Sequence, residues 1–282
     1  MSHHYKTIIA YFLVVGWIGT VGFGNTCCDR TKTPTTTPAT STETAKKQVR
    51  IAVAADLKFA MEHLKERFSL DHPDIQVSVT YGSSGSFYSQ LQNQAPYDLF
   101  LSADMEYPRR LVETGQGFPE TLFEYALGRI VVWVRNDSPL RSHSDGMDAL
   151  VDPQTTRIAI ANPKHAPYGR AAEAALKSAG IYDRVKDRFV YGENIAQATV
   201  FVESGNAQIG IVALSLAMSP GLREKGHFWP VPEESYPPIR QGGVILKSAR
   251  DFDAAQIFRQ FMIGPKGREI LINYGFGMPG HN

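Results

Sequence analysis

Apolar and polar residues alternate in short runs that predict β-strands, and most of these runs precede a stretch with helical spacing. The run at 49–53, for example, is followed by Leu57, Met61, Leu64 and Phe68, which share one helix face. The predicted strands are 49–53, 75–80, 97–101, 129–134, 157–161, 187–191 and 208–212. The predicted helices cover 57–68, 170–178, 195–202, 251–261 and 265–274, and two more begin at Phe87 and Pro108. This alternation is typical of an α/β fold with mainly parallel strands and helices on both faces of each sheet.

The globular part begins at residue 49 and is long for one open sheet, at about 235 residues, which favours two lobes. We expect two chain crossings that place 49–127 and 243–282 in lobe 1 and 128–242 in lobe 2. Ligands bind at the carboxyl ends of the strands in sheets of this kind. A ligand cleft between the lobes, lined by helix N-termini, is therefore expected.

Residues 1–28 are predicted to be a signal peptide. Lys6 supplies a positive charge ahead of a nearly continuous apolar run over 8–18, which is the pattern of an export signal. A permanent membrane-spanning helix, which needs ~20 apolar residues, is the alternative. The two cysteines of the chain, Cys27 and Cys28, follow this run, so the globular part has no disulfides.

A cysteine directly after an export signal is typical of a bacterial lipoprotein, and we expect Cys27 to be lipidated. Residues 24–26 match the usual cleavage residues poorly. Residues 29–48 are rich in threonine and proline, have little apolar surface to bury and are predicted to be a disordered tether. The predicted location is therefore periplasmic or otherwise extracytoplasmic, with a lipid anchor through Cys27.

The formal net charge is +1, with acidic and basic residues interspersed. Because no basic block or basic-aromatic stripe occurs in the sequence, nucleic acid is not expected as a partner. A neutral balance does not argue against an anion site, since local dipoles can hold a small buried anion.

Residues 81–87 (Tyr-Gly-Ser-Ser-Gly-Ser-Phe) join a predicted strand to a predicted helix. Such a turn directs backbone N–H groups and hydroxyls at one spot, and the helix dipole adds partial positive charge, which favours an oxyanion. A plain helix cap made of small residues is the alternative interpretation. Similar strand-to-helix turns occur at 54–56, 167–169 and 192–194.

Several motifs also follow the order found in a known family. They are 54–57 (Ala-Ala-Asp-Leu), 81–86, 97–104 (Tyr-Asp-Leu-Phe-Leu-Ser-Ala-Asp), 162–170 (Asn-Pro-Lys-His-Ala-Pro-Tyr-Gly-Arg), 208–212 and the terminal 264–276. This ordered set resembles the periplasmic molybdate/tungstate-binding proteins of ABC importers over about residues 49–276. The resemblance implies a two-lobed type II periplasmic-binding fold that closes on one tetrahedral oxyanion and passes it to a membrane permease. It also implies molybdate or tungstate as the ligand, no cofactor, no bare metal cation and a monomer.

By position, the resemblance implies four oxyanion-binding residues. Asp56 occupies the first binding loop, Ser84 offers its hydroxyl and backbone N–H in the second, and Tyr168 and Ile195 offer backbone N–H groups in the third and fourth. A tyrosine hydroxyl that some members have falls at Ala213, and the Tyr168 hydroxyl is expected to replace it. The alternatives are that Ser84 only caps its helix, that Ile195 only packs and that Tyr168 lies at the rim.

Asp56 departs from the serine or asparagine common in the family. The preferred interpretation is that Asp56 caps its own helix, because aspartate is a good N-cap residue. Alternatively, its carboxylate accepts the proton of a monohydrogen oxyanion, as in phosphate-binding proteins. Arg170 is the single arginine in the four candidate loops, which argues against phosphate.

An enzyme is not expected, although the same fold class includes enzymes. His72, His143, His165 and His227 show no metal-binding spacing, and the sequence has no Gly-x-Ser-x-Gly motif. His165 is adjacent to the third loop. A phosphate- or sulfate-type binder and a sensor that signals to a receptor remain the alternative functions.

Overall fold

A computed structural model describes residues 46–142 and 145–280. The predicted signal peptide, the lipidation at Cys27, the tether up to residue 45 and His143 lie outside the described residues. Among the helices of the described part, none is long and apolar enough to cross a membrane.

Ten strands are formed in the described residues. They are β1 (Lys47–Ala54), β2 (Ile75–Gly82), β3 (Leu99–Ser102), β4 (Phe123–Gly128), β5 (Ile130–Arg135), β6 (Ile158–Ala161), β7 (Phe189–Gly192), β8 (Ile209–Ala213), β9 (Gly226–Pro230) and β10 (Ile239–Ile245).

The α-helices are α1 (Lys58–Asp71), α2 (Ser84–Gln92), α3 (Glu106–Glu113), α4 (Gly146–Val151), α5 (Pro167–Ser178), α6 (Tyr182–Val185), α7 (Ile195–Glu203), α8 (Leu214–Ala217), α9 (Pro220–Arg223), α10 (Phe252–Ile263) and α11 (Pro265–Asn273). Short 3-10 helices cover Ala55–Leu57, Pro119–Thr121, Pro139–Ser142, Lys186–Arg188 and Glu233–Ser235.

The strands form two five-stranded sheets with the same design. The first has the order β2-β1-β3-β10-β4 and the second the order β7-β6-β8-β5-β9. In the first sheet β1 is parallel to β2 and β3, and β10 is antiparallel to β3 and β4. In the second, β6 is parallel to β7 and β8, and β5 is antiparallel to β8 and β9. Each sheet thus has four strands in one direction and one reversed strand, which confirms the predicted α/β fold with two mainly parallel sheets.

The chain crosses between the two sheets twice, and these crossings define which residues belong to each lobe. β4 ends at Gly128 in the first sheet and β5 begins at Ile130 in the second. The return lies between β9 and β10, so the expected boundary between 242 and 243 cuts through a first-sheet strand. The glycine pair at 242–243 lies inside β10, at a β-bulge. We call the first sheet with its helices the first lobe and the second sheet with its helices the second lobe.

Other differences from the sequence-based elements affect the site. β1 begins at Lys47, two residues inside the expected tether. Helix α2 begins at Ser84 rather than Phe87, and α5 begins at Pro167 rather than Arg170. Glycine, serine and proline obscured these starts in the sequence, although they are common in the first turn of a helix. The earlier starts place Ser84 and Tyr168 in the first turns of their helices.

Apolar cores cover the sheets and hold these turns in place. In the first lobe, α1 buries Met61, Leu64 and Phe68 against the sheet, and on the other face α2 buries Phe87. In the second lobe the core includes the fully buried Trp133. The carboxyl ends of the parallel strands are thereby fixed at the junction of the lobes.

Candidate functional site

A small cavity lies where turns from both lobes meet. Its volume is about 10 Å³, which is room for about one water-sized sphere. Asp56, Ser84, Tyr168 and Ile195 all line it, together with Ala54, Ala55, Gly82, Ser83, Ala103, Ala166, Pro167 and Asn194. Pockets for organic ligands usually have volumes of ~300–1,000 Å³. The cavity is therefore far smaller than a pocket for an organic ligand, and the four positions predicted from the sequence are brought together in it.

Three helices of eight residues or more begin at this cavity. They are α2, with Ser84 as its first residue, α5, with Tyr168 as its second, and α7, with Ile195 as its first. The first N–H groups of an α-helix have no partner within the helix, and its N-terminus carries about half a positive charge. The backbone N–H groups of these three residues are therefore hydrogen-bond donors in a positive local field.

Ser84 and Ser83 have different roles. Ser83 is the N-cap of α2: its Oγ accepts a hydrogen bond from the Ser86 N–H at 3.3 Å and donates one to Ser86 Oγ at 2.8 Å. Ser84 is buried, and its Oγ accepts from the Ala103 N–H at 2.9 Å. The interpretation of Ser84 as the cap is thus wrong. Its hydroxyl still has its own proton to donate into the cavity.

Ile195 packs with its side chain while its backbone N–H lies at the start of a helix. Its side chain is buried in the core of the second lobe. The N-cap of its helix is Asn194, whose Oδ1 accepts from the Gln197 N–H at 3.0 Å. Because Ile195 is the first residue of α7, its backbone N–H remains a donor while its side chain packs.

The Tyr168 hydroxyl is committed to protein partners. Tyr168 Oη donates to Asp56 Oδ2 at 2.9 Å and accepts from Gln241 Nε2 at 2.9 Å. The residue is buried, which excludes a position at the rim. A phenol has one proton, and Tyr168 donates it to Asp56. In this arrangement the Tyr168 hydroxyl has no proton left for a ligand, so it does not replace the tyrosine hydroxyl that is absent at Ala213. The Tyr168 backbone N–H is the donor that remains.

Asp56 does not cap a helix. It lies inside the 3-10 turn Ala55–Leu57, and within the described chain neither that turn nor α1 has a side-chain capping hydrogen bond. Its Oδ2 instead accepts from Tyr168 and, at 2.6 Å, from Gln241 Nε2. Among the described residues, Oδ1 has no hydrogen-bond partner. The preferred sequence-based interpretation of Asp56 is corrected on this point, because the capping positions belong to Ala54 and Leu57.

Burial dominates the electrostatics of Asp56, which is 1% exposed. Loss of solvent raises the pKa of its carboxyl from 3.8 to about 6, although hydrogen bonds from Gln241, Tyr168 and nearby backbone N–H groups act to lower it. Burial, and then the charge of Asp56, raise the pKa of Tyr168. A buried carboxyl with a pKa near neutrality and one oxygen without a partner is the unusual feature of this site.

Gln241 is the site residue that the sequence analysis missed. It is fully buried at the bulge of β10 and donates to both Asp56 and Tyr168. Gly128, where the chain first crosses between the lobes, makes room for this pair: a Cβ there would lie 2.3 Å from Tyr168 Oη and 2.8 Å from Gln241 Nε2. Gln241 is 185 positions from Asp56, so the sequence had no local signal for the contact.

The two lobes also contact each other at the mouth of the cavity. The Gly85 N–H donates to the His165 carbonyl at 2.9 Å. Arg170 forms an ion pair with Asp104 and donates to Tyr107 Oη at 3.3 Å. The first-lobe helices α2 and α3 are thereby linked to the start of α5, and the structure has the arrangement of a closed cleft.

Of the histidines considered earlier, the three that the structure describes, His72, His165 and His227, do not line the cavity. His72 stacks on Phe68 at 4.7 Å, and His227 lies edge-on to Trp229 at 4.5 Å. His165 contributes its carbonyl to the mouth. Within 46–142 and 145–280, no group of three or more His, Cys, Asp or Glu side chains is arranged to hold a metal ion.

Comparisons with known proteins agree with this arrangement. Residues 49–277 match the family described as bacterial extracellular solute-binding protein. The chain is 38% identical over 232 residues to the molybdate-binding protein ModA of Azotobacter vinelandii, covering 82% of this chain and 90% of that protein. It is 35% identical over 229 residues to the ModA protein of Rhodobacter capsulatus, covering 81% and 88%. The solved structure of the Azotobacter vinelandii periplasmic molybdate-binding protein superposes with a TM-score of 0.77 at 32% identity, covering 82% of this chain and 99% of that one.

Proposed function

The chain belongs to the family of bacterial extracellular solute-binding proteins, and from this premise we propose that it captures a tetrahedral oxyanion, molybdate or tungstate, and delivers it to an ABC permease. Relatives at 35–38% identity are named molybdate-binding proteins, which supports this choice of ligand.

The observation that carries the proposal is the convergence of three helix N-termini on one small cavity. Each N-terminus contributes about half a positive charge, so three supply roughly +1.5 toward a dianion. Among the described residues that line the cavity, none is a lysine or arginine. The donors are the backbone N–H groups of Ser84, Tyr168 and Ile195 and the Ser84 hydroxyl. Such a set favours an anion whose oxygens all accept hydrogen bonds.

Size provides the selectivity. Helix ends held by two apolar cores have fixed positions, so a smaller ion such as sulfate would leave the hydrogen bonds long. A buried donor without a good acceptor costs ~1–3 kcal/mol, which corresponds to roughly five- to a hundredfold in affinity. Molybdate and tungstate have nearly the same size and are expected to bind alike.

A second candidate ligand is a monohydrogen oxyanion such as hydrogen phosphate. The observation in its favour is Asp56 Oδ1, an acceptor without a protein partner among the described residues. An ionised Asp56 could accept the proton of such an anion. The absence of cationic side chains from the described cavity lining favours the larger oxyanions instead.

Location and partners follow from the proposed role. The protein would act outside the cytoplasmic membrane as a monomer, held by a lipid at Cys27, and the closed lobes would dock on the permease. It would bind and release its ligand without a catalytic step.

A thermal-shift panel tests the ligand class. The purified protein is heated with molybdate, tungstate, sulfate, phosphate or chloride at matched ionic strength. A ligand that binds the folded state stabilises it by about 2.7 kcal/mol at a hundredfold excess over its Kd. We expect large upward shifts with molybdate and tungstate and the chloride baseline with sulfate. Failure of all four oxyanions to stabilise the protein would contradict the proposed function.

A further inference from the structure

We propose that this protein takes up one proton when it binds a dianionic oxyanion, and that the proton resides on Asp56 Oδ1, which then donates a hydrogen bond to the ligand. The inference rests on the proposed function and specifies a residue that determines the protonation and charge of the complex. It is argued from the Asp56 carboxyl, in which Oδ2 accepts two side-chain hydrogen bonds and Oδ1 accepts none, rather than from the helix N-termini.

The geometry separates the two carboxyl oxygens. Oδ2 already accepts from Tyr168 Oη and Gln241 Nε2, at 2.9 and 2.6 Å. Oδ1 is buried and has no hydrogen-bond partner of good geometry among the described residues, although the backbone N–H groups of Asp56 and Leu57 lie close enough to the carboxyl to lower its pKa. Asp56 lines the cavity together with Ser84 and Ile195. Two donors fix Oδ2 as the ionic, accepting oxygen. A proton that binds Asp56 is therefore expected on Oδ1.

Titratable and polar groups surround the Asp56 carboxyl, and among the described residues no lysine, arginine or histidine contributes to its pKa. Tyr168 on α5 and Tyr125 on β4 face it, and both have pKa values raised by burial and by the charge of Asp56. Tyr125 Oη donates to the Ser102 carbonyl at 3.0 Å. From α8, Ser215 Oγ donates to the Asp56 carbonyl at 2.9 Å.

The remaining neighbours of the turn also bring no charge to the carboxyl. On α7, Thr199 Oγ1 bonds the Ile195 carbonyl at 2.8 Å. Lys58 at the start of α1 is exposed, with its Nζ over the Phe59 ring at 5.6 Å. Burial raises the pKa of the Asp56 carboxyl, hydrogen bonds lower it, and no cation contributes among the described residues. An ionised Asp56 beside a dianion would therefore have no positive side chain to offset the repulsion.

Protonation removes this conflict in two ways. It removes the negative charge that repels the ligand. It also gives Oδ1 a proton to donate to a ligand oxygen, whereas an ionised Oδ1 and a ligand oxygen can both only accept. The carboxyl is already disposed to this change, since burial raises its pKa to about 6. At neutral pH, above this pKa, Asp56 is mostly ionised before the ligand arrives. Binding of a fully deprotonated anion then draws close to one proton from solvent.

The coupling has a defined pH dependence. Above the pKa of free Asp56, the affinity for molybdate should fall about tenfold for each pH unit, as long as the complex stays protonated. Hydrogen phosphate brings its own proton to the same place, so its binding would take up none. Asp56→Asn presents an amide N–H in the position of the protonated Oδ1 and cannot titrate. Its affinity should be independent of pH over this range.

Calorimetric titration of molybdate in two buffers of different ionisation enthalpy, at about pH 7.5, measures the proton count directly. We expect an uptake near one for the wild-type protein, near zero with binding retained for Asp56→Asn, and near one for Asp137→Asn. The last variant is the matched control, because Asp137 is a surface carboxylate paired with Arg135 that neither lines the cavity nor links the lobes. The wild-type affinity between about pH 7 and 8.5 provides a second measurement that needs no variant.

Molybdate binding without proton uptake, or uptake that persists in Asp56→Asn, would overturn the inference and leave the proposed function intact. An affinity that stays constant over this pH range would overturn it in the same way. If no oxyanion binds at all, the proposed function fails and the inference fails with it.

Discussion

Tyr168 and Asp56 are 112 positions apart in the sequence, yet the Tyr168 hydroxyl donates to Asp56 Oδ2 at 2.9 Å. The bond joins the first turn of α5 in the second lobe to the turn after β1 in the first. Gln241 completes the triangle by donating to both residues. The buried Asp56 carboxyl at the cavity is therefore held by hydrogen bonds from both lobes.

Tyr168→Phe should distinguish the effect of the Tyr168 hydroxyl from that of its backbone N–H, because the variant removes only the hydroxyl. The variant removes a hydrogen bond that lowers the pKa of Asp56, so that pKa should rise above about 6. A hydrogen bond to a charged group is worth ~1.5–3 kcal/mol, and we expect the free energy of unfolding to fall by about this amount at pH 8, where Asp56 is ionised. The loss should be smaller at pH 5. Urea denaturation at both pH values measures it.

The molybdate affinity of Tyr168→Phe should change by less than about tenfold at neutral pH, because the backbone N–H at position 168 is retained and a higher pKa of Asp56 favours its protonated form. A loss of a hundredfold or more would mean that the hydroxyl contacts the ligand after all.

Asp56→Asn should stabilise the ligand-free protein at neutral pH. The pKa of Asp56 is about 6 in the folded protein and 3.8 in the unfolded chain, so the protonated carboxyl favours the folded state. That contribution is fully present below about pH 4 and is lost as the pH rises through 6, at a cost of roughly 3 kcal/mol. The asparagine variant avoids this cost. Thermal unfolding at pH 7.5 and pH 4 should show a higher Tm for the variant at the first pH and a smaller difference at the second. An equal difference at both would contradict the burial argument.

Ser84→Ala and Ser83→Ala should have different effects although the residues are adjacent. Ser84→Ala removes a hydroxyl donor to a buried charge, and a ten- to a hundredfold loss of molybdate affinity is expected. Ser83→Ala removes the N-cap of α2, which typically costs ~1 kcal/mol of stability. Its affinity should change only a few-fold. Calorimetry and thermal unfolding of both variants check this pair, and wild-type binding by Ser84→Ala would remove Ser84 from the site.

Gly85→Ala should impair closure of the lobes. A Cβ at Gly85 would lie 2.7 Å from the His165 carbonyl and 2.9 Å from Tyr107 Oη, both across or at the cleft mouth. We expect a loss of molybdate affinity of at least about tenfold, expressed mainly as faster dissociation, with little change in Tm. Gly221→Ala is the matched control, because a Cβ there meets nothing within 4 Å. Equal dissociation rates for the two variants in stopped-flow measurements would argue against the clash.

The sequence predicted the fold well where patterns are local and strong. Strands such as β1 and helices such as α1 have clear periodicity, whereas the glycine and serine residues at the start of α2 concealed its first turn. β10 was missed because Gln241, Gly242 and Gly243 lack the alternation of a strand, although the sheet accepts them. The partners of Asp56 could not be predicted, since Tyr168 and Gln241 approach it only after both lobes have formed.

Competition calorimetry tests the central claim most directly. The protein is titrated with molybdate alone and then in the presence of excess sulfate or phosphate, at fixed pH and ionic strength. The account predicts tight, stoichiometric binding of molybdate, displacement by tungstate, and sulfate affinity weaker by roughly five- to a hundredfold. Sulfate or phosphate binding as tight as molybdate, or tighter, would contradict the assignment of this cavity to the larger tetrahedral oxyanions.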